Sequence, residues 1–479
     1  MFYFTTRAID SVCEFSRNYI YGVSAFTRKR KWDFKYYTKH IIFNKRKTLR
    51  NNIDTHLKYC TSNIDSYRKQ SYSQQRMNII PEVFKQISLN YLHNIGYLDF
   101  KKFNPFFRTF YGFRLFAGDG SRFTLYNKQK TLEEFGFSEG YDRLPKVSFC
   151  GITDVLNDFL IDGIMGEHGI GEMTLIHQNI QNCKDLIEHT ESIFTFDRGF
   201  VSLELICRLI SMNTYFIIRL RNNSYKEERN NIKTDDSPIS IPLTENRLKI
   251  FKDSKLKEQF QDIDKLNLRI VTIEIEKENS KTEENEIEIE TLLTNLPSEI
   301  MSKDDIGEIY NARWGIECTY KTLKQRLQIE NYTSYSKTGI LQDIYSTFLT
   351  YNIFCYTRIY LNTIINRVMR KIGKTEYYDV DQSNLISRIK EDYFEIILNY
   401  TKEKVHNFTK NFIKKMYTLA KQNKRTQKIS KKEKTTQTKI HSTIQTNFLK
   451  NKKSMKWYIK KIGEKNYDKN LKLTTLIWK

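Results

Sequence analysis

The spacing of apolar side chains divides this sequence into segments of different character. Residues 1 to about 108 place apolar positions three and four residues apart, as in WDFKYYTKHIIF and RNNIDTHLKYC, which predicts helices. From about 112, short apolar runs bounded by Gly, Asp and Asn predict strands: GFRLFAGDG, KVSFCGITDVLNDFLIDGIMG, SIFTFDRGF and NTYFIIRL. VSLELICRLISMN, at 201–213 between the last two runs, has the periodicity of a crossover helix.

This order of elements predicts an α/β protein with an RNase H-like core, a mixed sheet flanked by helices. A charged stretch from 222 to about 290 interrupts the core. Its alternating runs VTIEIE and EIEIETLL, joined by the polar turn KENSKTEEN, predict a β-rich insertion. A long helix is predicted over about 304–328, with further helices up to about 420.

Five segments are therefore expected along the chain. They are a helical N-terminal DNA-binding domain at 1–108, the first part of the core at 109–221, the insertion at 222–295, the second part of the core at 296–355, and a helical, basic C-terminal region for DNA binding or dimerisation at 356–479. Within the first, SYSQQRMNIIPEVFKQISLNYL at 71–92 predicts two helices, with Ser71 or Ser73 as N-cap and Pro81 at the start of the second. This pair fits either a helix-turn-helix or a packed helical hairpin.

The charge distribution makes a polyanion the expected partner. The formal net charge is +23, and from residue 400 onward about 23 Lys and Arg stand against about 4 acidic residues. The first sixty residues add roughly +9, with FTRKRKW and FNKRK as the densest runs, and a basic low-complexity stretch begins near 420. The middle of the chain is slightly acidic. This pattern suits a DNA-binding protein whose centre collects carboxylates for metal while its flanks hold the phosphate backbone.

The cysteines and the apolar runs predict the compartment. The seven cysteines are scattered and form no C-x-x-C pair, which favours a reducing cytosol without a zinc site or a disulfide framework. The N-terminus lacks an uninterrupted apolar leader, and nowhere do eighteen apolar residues follow one another. We therefore expect a cytoplasmic, nucleoid-associated protein with no membrane segment.

Two aspartates end apolar runs that are predicted to be strands. Asp119 follows RLFAG between Gly118 and Gly120, so that metal and a DNA backbone could approach closely, and Asp197 follows SIFTF. Each aspartate alone fits a turn residue or a helix cap better than a metal ligand. Together they supply oxygen ligands of the kind that magnesium requires.

Glu317 belongs to a polar stripe on the predicted long helix. At 100° per residue, Tyr310, Arg313, Glu317 and Lys324 fall within about 60° of one another. Apolar positions lie beside this stripe and are expected to fix its direction: Ile309, Ile316, Leu323 and Leu327. The alternative is a solvated helix face, but the aromatic residues Tyr310 and Trp314 at the stripe argue against it.

The spacing Y-x2-R-x3-E-x6-K, together with FAGDGSRFTL and FTFDRGF, resembles the transposases of the insertion sequence 4 family of bacterial mobile elements. The similarity extends from the helical N-terminus to about 355, including TLLTNLP before the helix and STFLTYNIF after it. Val201 stands where Pro is common in the family. The basic tail after 420 is not covered by these motifs.

The resemblance implies roles for these residues. The catalytic triad, which would hold two Mg²⁺ ions with Mn²⁺ as a substitute, would be Asp119, Asp197 and Glu317. Residues that contact DNA phosphates near the element's end would be Tyr310, Arg313 and Lys324. Arg198 and Trp314 are further DNA-binding candidates beside them.

The implied reaction is cut-and-paste DNA transposition on double-stranded DNA. Two ions about 3.5–4 Å apart would activate the attacking oxygen and stabilise the leaving one. Water would cut at a terminal inverted repeat, and the freed 3′-hydroxyl would attack target DNA; the family implies a hairpin intermediate, and pairing two ends normally calls for a homodimer. Two alternatives remain: a host RNase H-like nuclease that cuts without joining, and a non-catalytic or decayed DNA-binding protein.

Overall fold

The computed structural model describes most of residues 2–419. Residues 1–416 form one compact unit, and a second unit, 417–479, enters the described part only at 417–419. The described ranges are 2–27, 32–44, 48–59, 67–98, 106–138, 144–188, 190–230, 232, 234–278, 285–373, 377–393, 397 and 406–419. The basic stretch that is predicted to begin near 420 lies outside them.

The N-terminal segment is helical, as its periodicity predicts. Its helices are α1 (Phe2–Glu14), α2 (Phe34–Ile42), α3 (Leu49–Tyr59), α4 (Lys69–Arg76) and α5 (Glu82–Asn94). Helix α4 begins at Lys69, ahead of both serines that were expected to cap it. Helix α5 follows Pro81 and packs against α1, with Val83, Phe84 and Ile87 buried. So much of α5 is buried that the packed-hairpin interpretation is favoured over a helix that reads a DNA groove.

A sheet with the predicted strands and crossover helix follows. Its elements are β1 (Arg114–Thr124), α6 (Gln129–Phe135), β2 (Lys146–Asp154), β3 (Phe159–Met165), α7 (Glu172–Asn182), α8 (Lys184–Glu188), β4 (Ser192–Phe196), α9 (Leu203–Ser211) and β5 (Tyr215–Arg219). Strands β1, β2 and β3 form an antiparallel meander, and β1, β4 and β5 are parallel neighbours. The strand order β3-β2-β1-β4-β5, with helices packed on the sheet, confirms the expected RNase H-like core.

The insertion contains the two strands that alternation predicts, and it extends the core sheet. Its elements are α10 (Lys226–Arg229), β6 (Asp236–Pro242), α11 (Glu245–Leu248), α12 (Ser254–Phe260), β7 (Lys265–Glu278) and β8 (Asn285–Thr294). Strand β8 pairs with β5, so that β8, β7 and β6 continue the order of the core strands. The insertion is therefore joined by backbone hydrogen bonds to the strand that follows Asp197 and α9.

Helices cover both faces of the sheet. The last named helices are α13 (Lys303–Ala312), α14 (Gly315–Lys321), α15 (Lys337–Lys371) and α16 (Gln382–Arg388). Helix α13 starts with a capping box between Ser302 and Asp305, and α15 is buried along most of its length by α2, α5 and β3. In the described part of the chain, no helix combines the length and apolarity that crossing a bilayer requires.

Candidate active site

Strands β1 and β4 bring the two aspartates to neighbouring positions. Their parallel pairing ends at Gly118 opposite Phe196, and the next residues are Asp119 and Asp197. Adjacent strands lie about 4.8 Å apart, so the two carboxylates start from neighbouring points of the backbone. The structure thus brings together two residues that are far apart in sequence.

Strand β1 does not end at Asp119, in contrast to the sequence expectation. Its antiparallel pairing with β2 continues from Asp119 opposite Gly151 to Thr124 opposite Lys146. Only the pairing with β4 stops at Gly118. At Asp119, β1 no longer pairs with β4 but still pairs with β2, and this pairing fixes the backbone of Asp119.

The two glycines beside Asp119 make room for neighbouring side chains, a fixed ring at Gly118 and the end of a flexible side chain at Gly120. A side chain at Gly118 would lie 2.4 Å from the Phe196 ring, and one at Gly120 would lie 2.1 Å from the Glu172 carboxyl carbon. Successive side chains point to opposite faces of a strand. The glycines therefore leave room for α7 on one face, while the Asp119 side chain faces α14 on the other.

Helix α14 carries Glu317 and is tied to β1 by Tyr320. The buried Tyr320 hydroxyl donates to the Asp119 carbonyl and accepts from the Gly151 N–H at 3.1 Å. These bonds fix the helix one turn after Glu317 at the residue pair that holds Asp119. The Glu317 side chain is 43% exposed, so it faces the open side of the site.

We predict that Tyr320→Phe lowers the free energy of unfolding by about 1–3 kcal/mol, because the buried Gly151 N–H loses its acceptor. Denaturant unfolding would measure the change, and Tyr3→Phe, on an exposed tyrosine, serves as the control. Equal unfolding free energies for the two variants would contradict this account of how α14 is held.

The Arg313 guanidinium lies among the carboxylates. Its Nη1 is 4.0 Å from Asp119 Oδ2, and its Nη2 is 3.5 Å from Glu317 Oε1. The side chain is 6% exposed, and within the described residues its Nε has no hydrogen-bond partner. Asp197 adds to the field on this cation, and the Tyr310 hydroxyl donates to Asp197 Oδ1 at 3.4 Å. The charge of this one buried cation therefore acts on all three acidic side chains.

Burial and charge act in opposite directions on these groups. Burial raises the pKa of Asp119 to about 6, while Arg313 and the Gly120 N–H lower it, and Glu317 and Glu172 raise it. Burial lowers the pKa of Arg313, but Tyr310 and the three acidic residues outweigh burial and raise it overall. Arg313 stays protonated, and Asp119 holds its charge less firmly than an exposed aspartate does.

The predicted long helix is interrupted, which changes where Lys324 points. The N–H groups of Arg313 and Trp314 bond three residues back, and Gly315 packs closely against Val155. A π-turn, Thr322–Arg326, follows α14. A calculation at 100° per residue fails across these irregularities. Lys324 donates to the Arg122 carbonyl at 2.8 Å, farther along β1.

The remaining candidates lie at the rim of the site. Arg198 follows Asp197 and is exposed, and its carbonyl accepts a hydrogen bond from Arg221. Trp314 is 46% exposed, with the Arg313 guanidinium 5.4 Å from its ring centre. Both side chains are accessible from solvent.

Three charged residues near the aspartates were not predicted from the sequence. Arg219 stands across from Asp197 at the end of β5, Glu290 pairs with Arg219, and Glu172 approaches Gly120 from α7. The ends of adjacent parallel strands meet at one edge of a sheet, so the position of Arg219 directly after the apolar run YFII could have indicated it. Glu290 gave no signal, because it is one of several glutamates in EIEIE.

The donor atoms suit a hard divalent cation, although they are not drawn together. Carboxylate oxygens from Asp119, Asp197 and Glu317 are the ligands that Mg²⁺ and Mn²⁺ prefer. Among the residues that the structure describes, no three acidic, histidine or cysteine side chains converge closely enough to bind one ion. The guanidinium of Arg313, within 4.0 Å of both Asp119 and Glu317, lies between those two carboxylates.

Comparison with known proteins identifies a related domain. Residues 169–353 match a family model described as a transposase DDE domain, a segment that contains Asp197 and Glu317 but begins after Asp119. A protein of Synechocystis sp., which bears the name of a transposase for insertion sequence element IS4SA, is 28% identical over 211 residues. That alignment covers 43% of this chain and 51% of the relative, so the chain spans about half the length of the curated relative it matches.

A solved structure also aligns with the chain. It is the cryo-EM structure of the piggyBac transposase synaptic complex with hairpin DNA, and the alignment covers 84% of this chain and 80% of that one at 10% identity. The TM-score is 0.38, too low for the likeness to carry an argument. The family match and the bacterial relative confirm the expected resemblance to DDE transposases of the insertion sequence 4 type.

Proposed function

We propose that this chain is a DDE transposase that cleaves double-stranded DNA at the ends of a mobile element and joins the freed ends to target DNA. The observation that supports the proposal is the position of the buried Arg313, which lies within 4.0 Å of Asp119 on β1 and of Glu317 on α14 and in the field of Asp197 at the end of β4. Three acidic residues around a buried cation, at the edge of an RNase H-like sheet, support phosphodiester chemistry more than a structural role.

The three carboxylates would hold divalent ions, Mg²⁺ or Mn²⁺. Two such ions, when bound, supply activation of the attacking oxygen and charge stabilisation of the leaving oxygen. Asp119 and Asp197 are held in place by their strands, and Glu317 is held through Tyr320. Fixed backbones would lower the cost of bringing the oxygen donors together on an ion.

The cations and aromatic groups would position the DNA. Arg313 is within reach of a phosphate that enters between the carboxylates, and it would bind it by charge-assisted hydrogen bonds. The Tyr310 hydroxyl, now bonded to Asp197, would add a neutral donor. Lys324 would hold the backbone beside β1, and Arg198 and Trp314 would contact DNA at the rim.

The net charge of +23 supports a DNA partner, because each phosphate contact releases counterions. Bringing two ends of one element together normally calls for a dimer, so we propose a homodimer in the complex with DNA. The family model matches only from residue 169 onward. Any role of the N-terminal helices in binding DNA or a second subunit is therefore also part of this proposal.

A strand-transfer assay tests the function. The substrate is a duplex that ends in the inverted repeat found beside the reading frame, pre-cut to expose the 3′-hydroxyl, with a supercoiled plasmid as target. We expect Mg²⁺-dependent joining of the labelled end to the plasmid. Cleavage of an uncut end without joining would point to a host nuclease, and binding without either reaction would point to a non-catalytic DNA-binding protein.

A further inference from the structure

An ion pair beside Asp197 joins the insertion to the core. Arg219, the last residue of β5, places Nη1 2.8 Å from Glu290 Oε1 on β8. The side chains are 17% and 5% exposed. Strand β8 belongs to the insertion, so Glu290 is an acidic group that this segment contributes beside the site.

Strand alternation places this pair on the same face of the sheet as Asp119 and Asp197. Leu115, Ile193, Ile217 and Leu292 belong to one core cluster covered by α13. Counting along each strand in steps of two leads from these residues to charged ones on the same face: Asp119, Asp197, Arg219 and Glu290. The ion pair therefore adjoins the site directly, with no layer of side chains between them.

Arg219 faces two carboxylates with one nitrogen. Its Nη1 is 2.8 Å from Glu290 and 3.9 Å from Asp197 Oδ1. Coulomb attraction falls with distance, so the contact with Glu290 dominates the position of the guanidinium. Without that charge, the Arg219 guanidinium would move towards Asp197, the next carboxylate, because a charge that is largely removed from solvent is costly to leave unpaired.

We propose that Glu290 is a positioning residue, which holds the Arg219 guanidinium off Asp197 and leaves the Asp197 carboxylate available to a divalent cation. This inference rests on the proposed function, because it requires cation binding at Asp197. The insertion would then do more than extend the sheet. Its strand β8 would supply the negative charge that keeps the Arg219 guanidinium from competing with a metal ion for Asp197.

Binding of Mn²⁺ to the full-length protein, followed by the electron paramagnetic resonance of free Mn²⁺, tests this proposal. We expect Glu290→Gln to weaken Mn²⁺ binding about tenfold, which is ~1.4 kcal/mol, because Arg219 then pairs with Asp197. We expect the double variant Glu290→Gln with Arg219→Gln to recover affinity to at least the wild-type level. The control is Glu274→Gln, an exposed glutamate of the same insertion, with no change expected.

A structural ion pair predicts a different pattern. If the pair served only to stabilise the fold, both single variants and the double variant would lose thermal stability, and the second substitution would not restore Mn²⁺ affinity. Unchanged affinity in Glu290→Gln, or equal weakness of the double variant, would overturn the proposal. Should Glu290→Gln fail to fold, Arg219→Gln alone decides the matter: it must bind Mn²⁺ at least as tightly as wild type.

The Asp197→Asn variant separates this inference from the function on which it rests. We expect it to lose the Mn²⁺ binding that the wild-type protein shows. If Asp197→Asn binds Mn²⁺ as the wild-type protein does, the proposed site is wrong, and the inference falls with it. If Asp197→Asn loses binding while Glu290→Gln keeps it, only the role of Glu290 is refuted.

Discussion

Glu317→Gln is expected to bind the element's ends with unchanged affinity and to cut them on the order of 10³-fold more slowly, or not at all. The substitution removes a charged oxygen ligand, and loss of metal-derived stabilisation costs several kcal/mol of transition-state free energy, each 1.36 kcal/mol being tenfold in rate. The side chain is 43% exposed and lies on α14 after the helix break, so the fold should tolerate an amide there. Gel-shift and single-turnover cleavage assays in Mg²⁺ measure the two quantities.

The matched control for this variant is Glu299→Gln. Glu299 is an exposed glutamate in the turn before α13, outside the helix that carries Glu317. It should cut at the wild-type rate. Full cleavage activity in Glu317→Gln would refute the assignment of Glu317, and loss of end binding would indicate a role in DNA recognition instead.

Asp343→Asn is expected to lower the free energy of unfolding by about 3–5 kcal/mol, because it leaves a buried guanidinium without its counter-charge. Arg76 of α4 and Asp343 of α15 are 3.1 Å apart, with side chains 1% and 0% exposed. Arg76 also donates to Gln342, Thr333 and the Gly339 carbonyl. The pair joins the N-terminal helices to the helix that follows the site, and equilibrium urea unfolding would measure its contribution.

An exposed ion pair in the same part of the chain provides the comparison. Arg50 and Asp54 on α3 are 3.0 Å apart, with side chains 56% and 44% exposed, so Asp54→Asn should cost at most about 0.5 kcal/mol. Replacing Arg76 and Asp343 together by Met and Leu should restore much of the loss, because neither buried charge then remains alone. Similar costs for Asp343→Asn and Asp54→Asn would show that burial does not govern this pair.

The elements of the fold were predictable from local patterns. Alternation and boundary residues predicted β1 to β5, and the periodicity of 201–213 predicted α9, because each pattern lies within one element. The sequence predicts too short a β1, since Asp119 between two glycines is typical of the end of an apolar run. Its continuation depends on β2, which begins at Lys146 and cannot be seen from the sequence around Asp119.

The candidate site residues could be chosen from the sequence, but their contacts could not. Asp119, Asp197 and Glu317 stood out by their sequence contexts, and the resemblance supplied their expected roles, which stay predictions. The stripe calculated for Lys324 assumed a regular helix, whereas the π-turn at Thr322–Arg326 places its ammonium group at the Arg122 carbonyl. Arg219 and Glu290 were missed because neither is distinctive within its own strand.

What the sequence determined by itself was the kind of element at each position and the polar groups those elements carry, because both depend on neighbours within a few residues. Only the tertiary structure decided which of those groups meet. Tyr320 bonds to the backbone of Asp119 across 201 residues, and Arg219 faces both Glu290 and Asp197 because β5 lies between β4 and β8. Strand order and register fix such contacts, and they are properties of the packed sheet as a whole.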